Sequence, residues 1–246
     1  ITTLSYDSIT DSTRARWRVM SLALVYDILH DDSYMGASKL STIGAEIVTL
    51  CGKLSNFDHE HIGGHSHGDQ AVQLIGASAI AGEIPGWEAK LDEALTFWYA
   101  PGTGFIETLR YYCADGGHMQ GSWYGFLVAY HDMWLFSVLT NSTLNIRPFT
   151  EESWIQKIPE WYLNTEIRGD GDMFSFADTA RSSHPWLHNS GRAVTTILAD
   201  RLKNEQLRWM YDYLDDIGIQ NGDGYYAPNL IYDVIFLDKT KVSGVA

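Results

Sequence analysis

Apolar residues recur along this chain at helical spacing, in one short segment after another, with almost no stretch that alternates as a strand would. Val19, Leu22, Tyr26 and Leu29 keep that rhythm, and Leu40, Ile43, Ile47, Leu50 and Leu54 repeat it. Such spacing gathers each set on one face of a helix, to be buried against a neighbour. Val72, Ile75 and Ala79 precede a stop at Gly82 and Pro85, after which Trp87, Leu91, Ala94 and Trp98 begin again. Phe105, Leu109 and Tyr112 mark a shorter helix, and a long one follows Ser122. Thr150 is the expected cap of a segment carrying Trp154, Ile158 and Trp161. Ala193 and Ile197, then Leu207, Met210 and Leu214, indicate two more helices broken near Lys203-Asn204. One short strand is expected within Tyr225 to Leu237, at Ile231, Val234 and Ile235. About ten helices in consecutive hairpins, without a strong repeat or a linker, predict an all-α chain. The expected architecture is one α/α toroid-type domain over residues 1–246, complete or incomplete, with a plain bundle as the alternative.

With 246 residues, of which 45% are hydrophobic, the chain can bury a sizeable core. No apolar run approaches the ~18 residues of a membrane span, so no membrane partner is expected. Ile1 to Ser5 lack the basic and apolar regions of a secretion signal, so any such signal is expected to have been removed or never included. A net charge of -14 argues against nucleic acid as a partner. It also opposes a dense polyanion. A uronate-bearing sugar would need a local positive cleft drawn from Arg110, Arg168, Arg181, Arg192 and histidines. Two cysteines, Cys51 and Cys113, are too few for a disulfide framework and read as buried thiols, with their pairing as the alternative.

The chemistry concentrates in Asp115-Gly116-Gly117-His118-Met119-Gln120-Gly121-Ser122-Trp123-Tyr124-Gly125. A glycine turn there leads through a histidine and an amide into the long helix, with Ser122 as its expected N-cap. Two other stretches flank it: His61-Ile62-Gly63-Gly64-His65-Ser66-His67-Gly68 upstream and Gly171-Asp172-Met173-Phe174-Ser175-Phe176-Ala177-Asp178 downstream. In their residues and their order the three stretches resemble those of the heparinase II/III-like polysaccharide lyases, over roughly residues 15 to 235. The resemblance implies an α/α toroid, a location in the periplasm or outside the cell, and cleavage of a uronic-acid-containing polysaccharide or oligosaccharide by β-elimination. It makes Tyr124 the catalytic acid and base. His65, with His67 close behind, would meet the substrate carboxylate.

Elimination is hard because the carbanion at C5 forms beside a carboxylate, which the site must neutralise by hydrogen bonding or a cation. A tyrosine, ordinarily protonated to pH ~10, needs a nearby positive charge to serve as base. Arg110 and His118 are the candidate neighbours, and His118 is a third catalytic candidate. His131 follows Tyr124 at helical spacing on the same face. Gln120, Trp123, His131, His188 and Asn189 are the further candidate contacts with sugar, the last two in a polar and aromatic stretch running from Arg181 to Arg192. Each also has an ordinary reading, as a helix-start, core or loop residue.

No cofactor is expected, although His59, His61, His65, His67 and Asp69 form an alternative zinc set. A glycoside hydrolase on the same toroid is a second reading. It needs two carboxylates across a groove, for which Asp115 and Asp178 are available. A third is a non-catalytic carbohydrate-binding fragment. Members of the family resembled carry a β-sandwich after the toroid, and the chain beyond Leu237 is too short for one. A missing domain or partner chain is therefore expected.

Overall fold

Helices that must bury one face each pair off with their neighbours in this chain. The computed structural model describes residues 12–55, 64–118, 122–142, 144–167, 172–173 and 189–216. It divides into two compact units, Ile1–Glu107 and Thr108–Ala246.

In the first unit, α1 (Ser12–Leu29), α2 (Gly36–Ser55), α3 (Gly64–Ala79) and α4 (Trp87–Tyr99) follow one another. α1 packs on α2 and α3, and α3 packs on α4. The expected stripes face inward: Val19 and Tyr26, then Ile47, Leu50 and Leu54, then Val72 and Ile75, and finally Ala94 and Trp98 are all buried. Gly76 lets three helices converge, since a Cβ there would lie 2.7 Å from Val19 Cγ1 and 3.2 Å from Cys51 Sγ. The expected stop holds, with α3 ending at Ala79 ahead of Gly82 and Pro85. Arg16 and Asp69 join α1 to α3 through an ion pair at 2.9 Å with both side chains buried. Ser55, Gln73 and Lys90 join α2, α3 and α4: Ser55 donates to Gln73 Oε1 at 2.8 Å, and Gln73 donates to the Lys90 carbonyl at 3.1 Å.

α5 (Phe105–Tyr112) spans the boundary between the units. It buries Phe105, Ile106 and Leu109, continued by Cys113, whereas Tyr112 is 53% exposed. Phe105 and Leu109 of the expected face are thus buried, and Tyr112 is not.

The second unit is built on α6 (Ser122–Asn141) packed against α9 (Asn189–Leu202). Residues 132–137 of α6 and 193–198 of α9 are all buried, so both helices are enclosed around their whole circumference there. α10 (Glu205–Asp216) packs on α9 through Leu207 and Met210. The break near Lys203-Asn204 is present. Lys203 adopts φ +54°, and Asn204 Oδ1 accepts from the Leu207 amide at 2.9 Å, an N-cap bond.

Between these helices lie α7 (Pro148–Glu151) and α8 (Ser153–Thr165). Thr150 sits inside α7, its hydroxyl donating to the Arg147 carbonyl at 3.1 Å, so it does not cap α8. Proline at the first turn of α7, where no amide donor is needed, starts a helix earlier than the polar cap suggests. α8 buries Trp154, Ile155, Ile158 and Tyr162, and Trp154 meets Phe136 of α6 edge-on at 6.1 Å. After α8, β1 (Glu166–Ile167) and β2 (Asp172–Met173) form a two-residue antiparallel ladder, Glu166 opposite Met173.

The described structure is thus all-helical apart from that ladder, with about ten helices as expected for an all-α fold. The strand expected within Tyr225 to Leu237 lies outside the described residues. Cys51 and Cys113 are buried and not joined in a disulfide, and burial pushes the Cys51 thiol up to about 12. No described helix is long and apolar enough to cross a membrane.

Candidate functional site

The turn from Asp115 to His118 is held against α8. Asp115 Oδ1 accepts from the Gly117 amide at 2.9 Å, closing a local turn of the kind aspartate favours. Gly116 has φ +91°, and a Cβ on it would lie 2.5 Å from the Lys157 carbonyl carbon of α8. At Gly117 a Cβ would lie 2.4 Å from Trp161 Nε1. Both glycines are therefore needed for contact with α8, and only the first for its backbone angle. Lys157 completes the attachment by donating its ammonium to the Ala114 carbonyl at 2.7 Å.

His118 closes this turn and is buried. Burial lowers its pKa to about 4, so the imidazole is neutral at neutral pH. Its suitability as the cation beside Tyr124 is correspondingly reduced. A neutral ring can still give or take a hydrogen bond.

Arg110, the other candidate cation, is committed elsewhere. Its Nε lies 2.9 Å from Glu152 Oε2 and its Nη2 2.7 Å from Glu152 Oε1, a two-pronged pair with Glu152 buried between α7 and α8. That pair fastens the end of α5 just before the glycine turn. The next two residues, Tyr111 and Tyr112, are 76% and 53% exposed and stand edge to face with ring centres 4.9 Å apart.

Tyr124 and Trp123 fall in the first turn of α6, and His131 lies further along it. His65 and His67 fall in the first turn of α3, and Asn189 opens α9. The side chains of these six residues lie outside the described part of the structure. So do the whole of His59, His61, Gln120, Arg168, Asp178, Arg181 and His188, and the side chains of Asp172 and Arg192. His65 and His67 belong to the first unit, and Tyr124 and His118 to the second.

Asp69 of the alternative zinc set is engaged with Arg16. Among the described residues no group of three or more histidine, cysteine, aspartate or glutamate side chains is arranged to hold a metal ion. Asp115, offered for a hydrolase, spends one carboxylate oxygen on the Gly117 amide.

Sequence reasoning passed over two acidic residues. Asp132 lies on α6 directly after His131, is buried, and has its pKa pushed well above the ordinary 3.8 by desolvation. It was the one acid in an otherwise apolar run, which was the available signal. Glu152 had no such signal, because its partner lies 42 residues away in sequence.

Compared with known protein families, with curated proteins and with solved structures, the chain matches none.

Proposed function

We propose that this chain is a polysaccharide lyase-like protein that cleaves a uronic-acid-containing polymer by β-elimination, on an α/α toroid and outside the cytoplasm. The observation that carries the reading is the mounting of the Asp115–His118 turn. Two glycines pressed on α8 and a lysine bond to Ala114 fix the segment that leads into the first turn of α6, where Tyr124 lies. A proton-transfer group requires that kind of rigid support, because small displacements of a reacting group are costly. Consecutive packed pairs, α1 on α2, α3 on α4 and α9 on α10, support the toroid.

In this mechanism the Tyr124 phenolate removes the C5 proton, and the C–H electrons pass toward the carboxylate, which His65 or His67 neutralises by hydrogen bonding. The carbanion electrons then form the C4–C5 double bond as the C4–O bond breaks. The phenol returns its proton to the leaving oxygen. With His118 neutral and Arg110 paired to Glu152, the positive charge that tunes Tyr124 is assigned to the arginines Arg168, Arg181 and Arg192. Gln120, Trp123, His131, His188 and Asn189 are the proposed sugar contacts. The test is ultraviolet absorbance of the unsaturated product across a panel of uronate polymers. Absence of that product with every polymer, under conditions where the chain binds one of them, overturns the lyase reading.

One observation favours a second reading, a carbohydrate-binding module that does not cleave. Tyr111 and Tyr112 expose two aromatic rings beside a charge-balanced Arg110–Glu152 pair, a surface suited to stacking on a sugar ring. Binding without product, lost in a Tyr111→Ala, Tyr112→Ala double variant, is the outcome this reading expects.

A further inference from the structure

The first unit carries a polar cluster that the proposed reaction does not use. Tyr26 on α1 donates its hydroxyl to Glu83 Oε2 at 2.8 Å. His30, just past the end of α1, places Nε2 2.9 Å from the same oxygen and Nδ1 3.0 Å from Asp31 Oδ1. Glu83 belongs to the turn between α3 and α4, so the ring bridges two segments far apart in sequence.

Both ring nitrogens face carboxylate oxygens. A neutral imidazole has one N–H and one lone pair, so it would aim that lone pair at an anionic oxygen; only the doubly protonated ring donates to both. We propose that His30 is a proton-operated latch: its imidazolium, held between Glu83 and Asp31, fastens the end of α1 to the α3–α4 turn, and loss of the proton releases it.

The surrounding charges favour the closed form. Asp27 on α1 and Asp32 beyond Asp31 add exposed carboxylates, and Asp32 Oδ1 accepts from the Tyr34 amide at 2.7 Å. The cation at the start of α2, Lys39, is turned to Tyr34, with its ammonium 2.8 Å from the Tyr34 carbonyl and 3.7 Å from the ring centre. The Glu83 hydrogen bond, then that of Asp31, raises the His30 pKa above its ordinary 6.5. Tyr26 first, then His30, holds the Glu83 carboxyl below its ordinary 4.5. Tyr26 itself is pushed up to about 12, chiefly by burial, and remains a donor throughout.

The signs define a window. His30 contributes its full share below pH 6.5 and loses it as pH rises through its higher folded value. Glu83 contributes above pH 4.5 and loses its share as pH falls through its lower one. The latch is therefore tightest in mildly acidic solution and loosens toward alkaline pH, where the Tyr26 hydroxyl is the bond left on Glu83.

Hydrogen exchange on the full chain at about pH 6 and about pH 8, corrected for intrinsic rates, tests the latch. The amides to follow are those of Asp32 and Met35, bonded to Leu29 and Asp32, and those of Glu83 and Ile84, both bonded to Ile80. An exposed ion pair of this kind should make protection about two- to five-fold greater at the lower pH. In His30→Gln and in Glu83→Gln that difference should vanish while protection along the buried part of α3 is unchanged. Equal wild-type protection at both pH values, or a difference that survives in His30→Gln, overturns the proposal.

Discussion

Gly117 and Trp161 are in such close contact that the smallest side chain at 117 would overlap the indole, with Cβ 2.4 Å from Nε1. Gly116 beside it is tighter in a different way, because the atom it would strike is the Lys157 carbonyl carbon, which cannot swing aside. Gly116→Ala should therefore destabilise the second unit by about 2–4 kcal/mol, and Gly117→Ala by about 1–3 kcal/mol, since an indole can shift. Gly82→Ala is the control. It has a similar φ of +83° but open space around it, so it should cost only about 1 kcal/mol. Urea denaturation followed by tryptophan fluorescence measures all three, and equal losses at 82 and 116 would refute close packing on α8.

The Arg110–Glu152 pair makes a second, independent claim. Glu152 is 4% exposed, so removing the guanidinium leaves a nearly buried carboxylate without its charged partner. Arg110→Ala should cost about 1–3 kcal/mol, less than for a fully buried pair because the arginine side chain is 47% exposed. Arg110→Lys should recover only part of this, as an ammonium cannot reproduce the two parallel bonds. A double-mutant cycle with Glu152→Gln isolates the coupling; a coupling energy near zero would show the pair to be incidental.

Helices with a polar side show their buried face in the sequence, whereas α6 and α9 were legible as helices but not in the face that each turns to a neighbour. Ile47, Leu50 and Leu54, or Leu207 and Met210, stand out because exposed residues separate them, so the burial pattern carries the helical period. Residues 132–137 and 193–198 are buried all round, Asp132, Ser137, Thr195 and Thr196 included, so polarity there does not mark which face meets which neighbour. The site divides in the same way. The glycine turn could be read locally, and Asp115 does close it. That Arg110 is occupied by Glu152, and His118 desolvated to neutrality, depends on contacts between residues distant in sequence.

His118 predicts an acid limb in the stability curve. Its folded pKa, about 4, lies below the ordinary 6.5, so the unfolded chain binds the extra proton first as pH falls. Stability from this group is complete above pH 6.5 and declines between there and about pH 4, by roughly 3 kcal/mol in all. His118→Gln should flatten that part of the curve. Denaturation midpoints measured from pH 7 downward would contradict the assignment if the wild type and His118→Gln declined in parallel.

Tyr124→Phe tests the proposed reaction directly. Only the phenol oxygen is removed, so the ring and the first turn of α6 should persist, and sugar binding should change little. Loss of a proton-transfer group should reduce eliminative cleavage by about 100-fold to 10000-fold. His65→Ala should differ in kind, weakening both binding and turnover, because a residue that meets the substrate carboxylate acts in the ground state as well as the transition state. The contrast is visible as a fall in kcat alone for Tyr124→Phe and a change in both kcat and KM for His65→Ala. Retention of more than about a tenth of the wild-type rate by Tyr124→Phe would remove Tyr124 from the mechanism. His131, on the same helix, would then be the next base to test, ahead of His118, whose buried and weakly basic ring is the poorer proton acceptor.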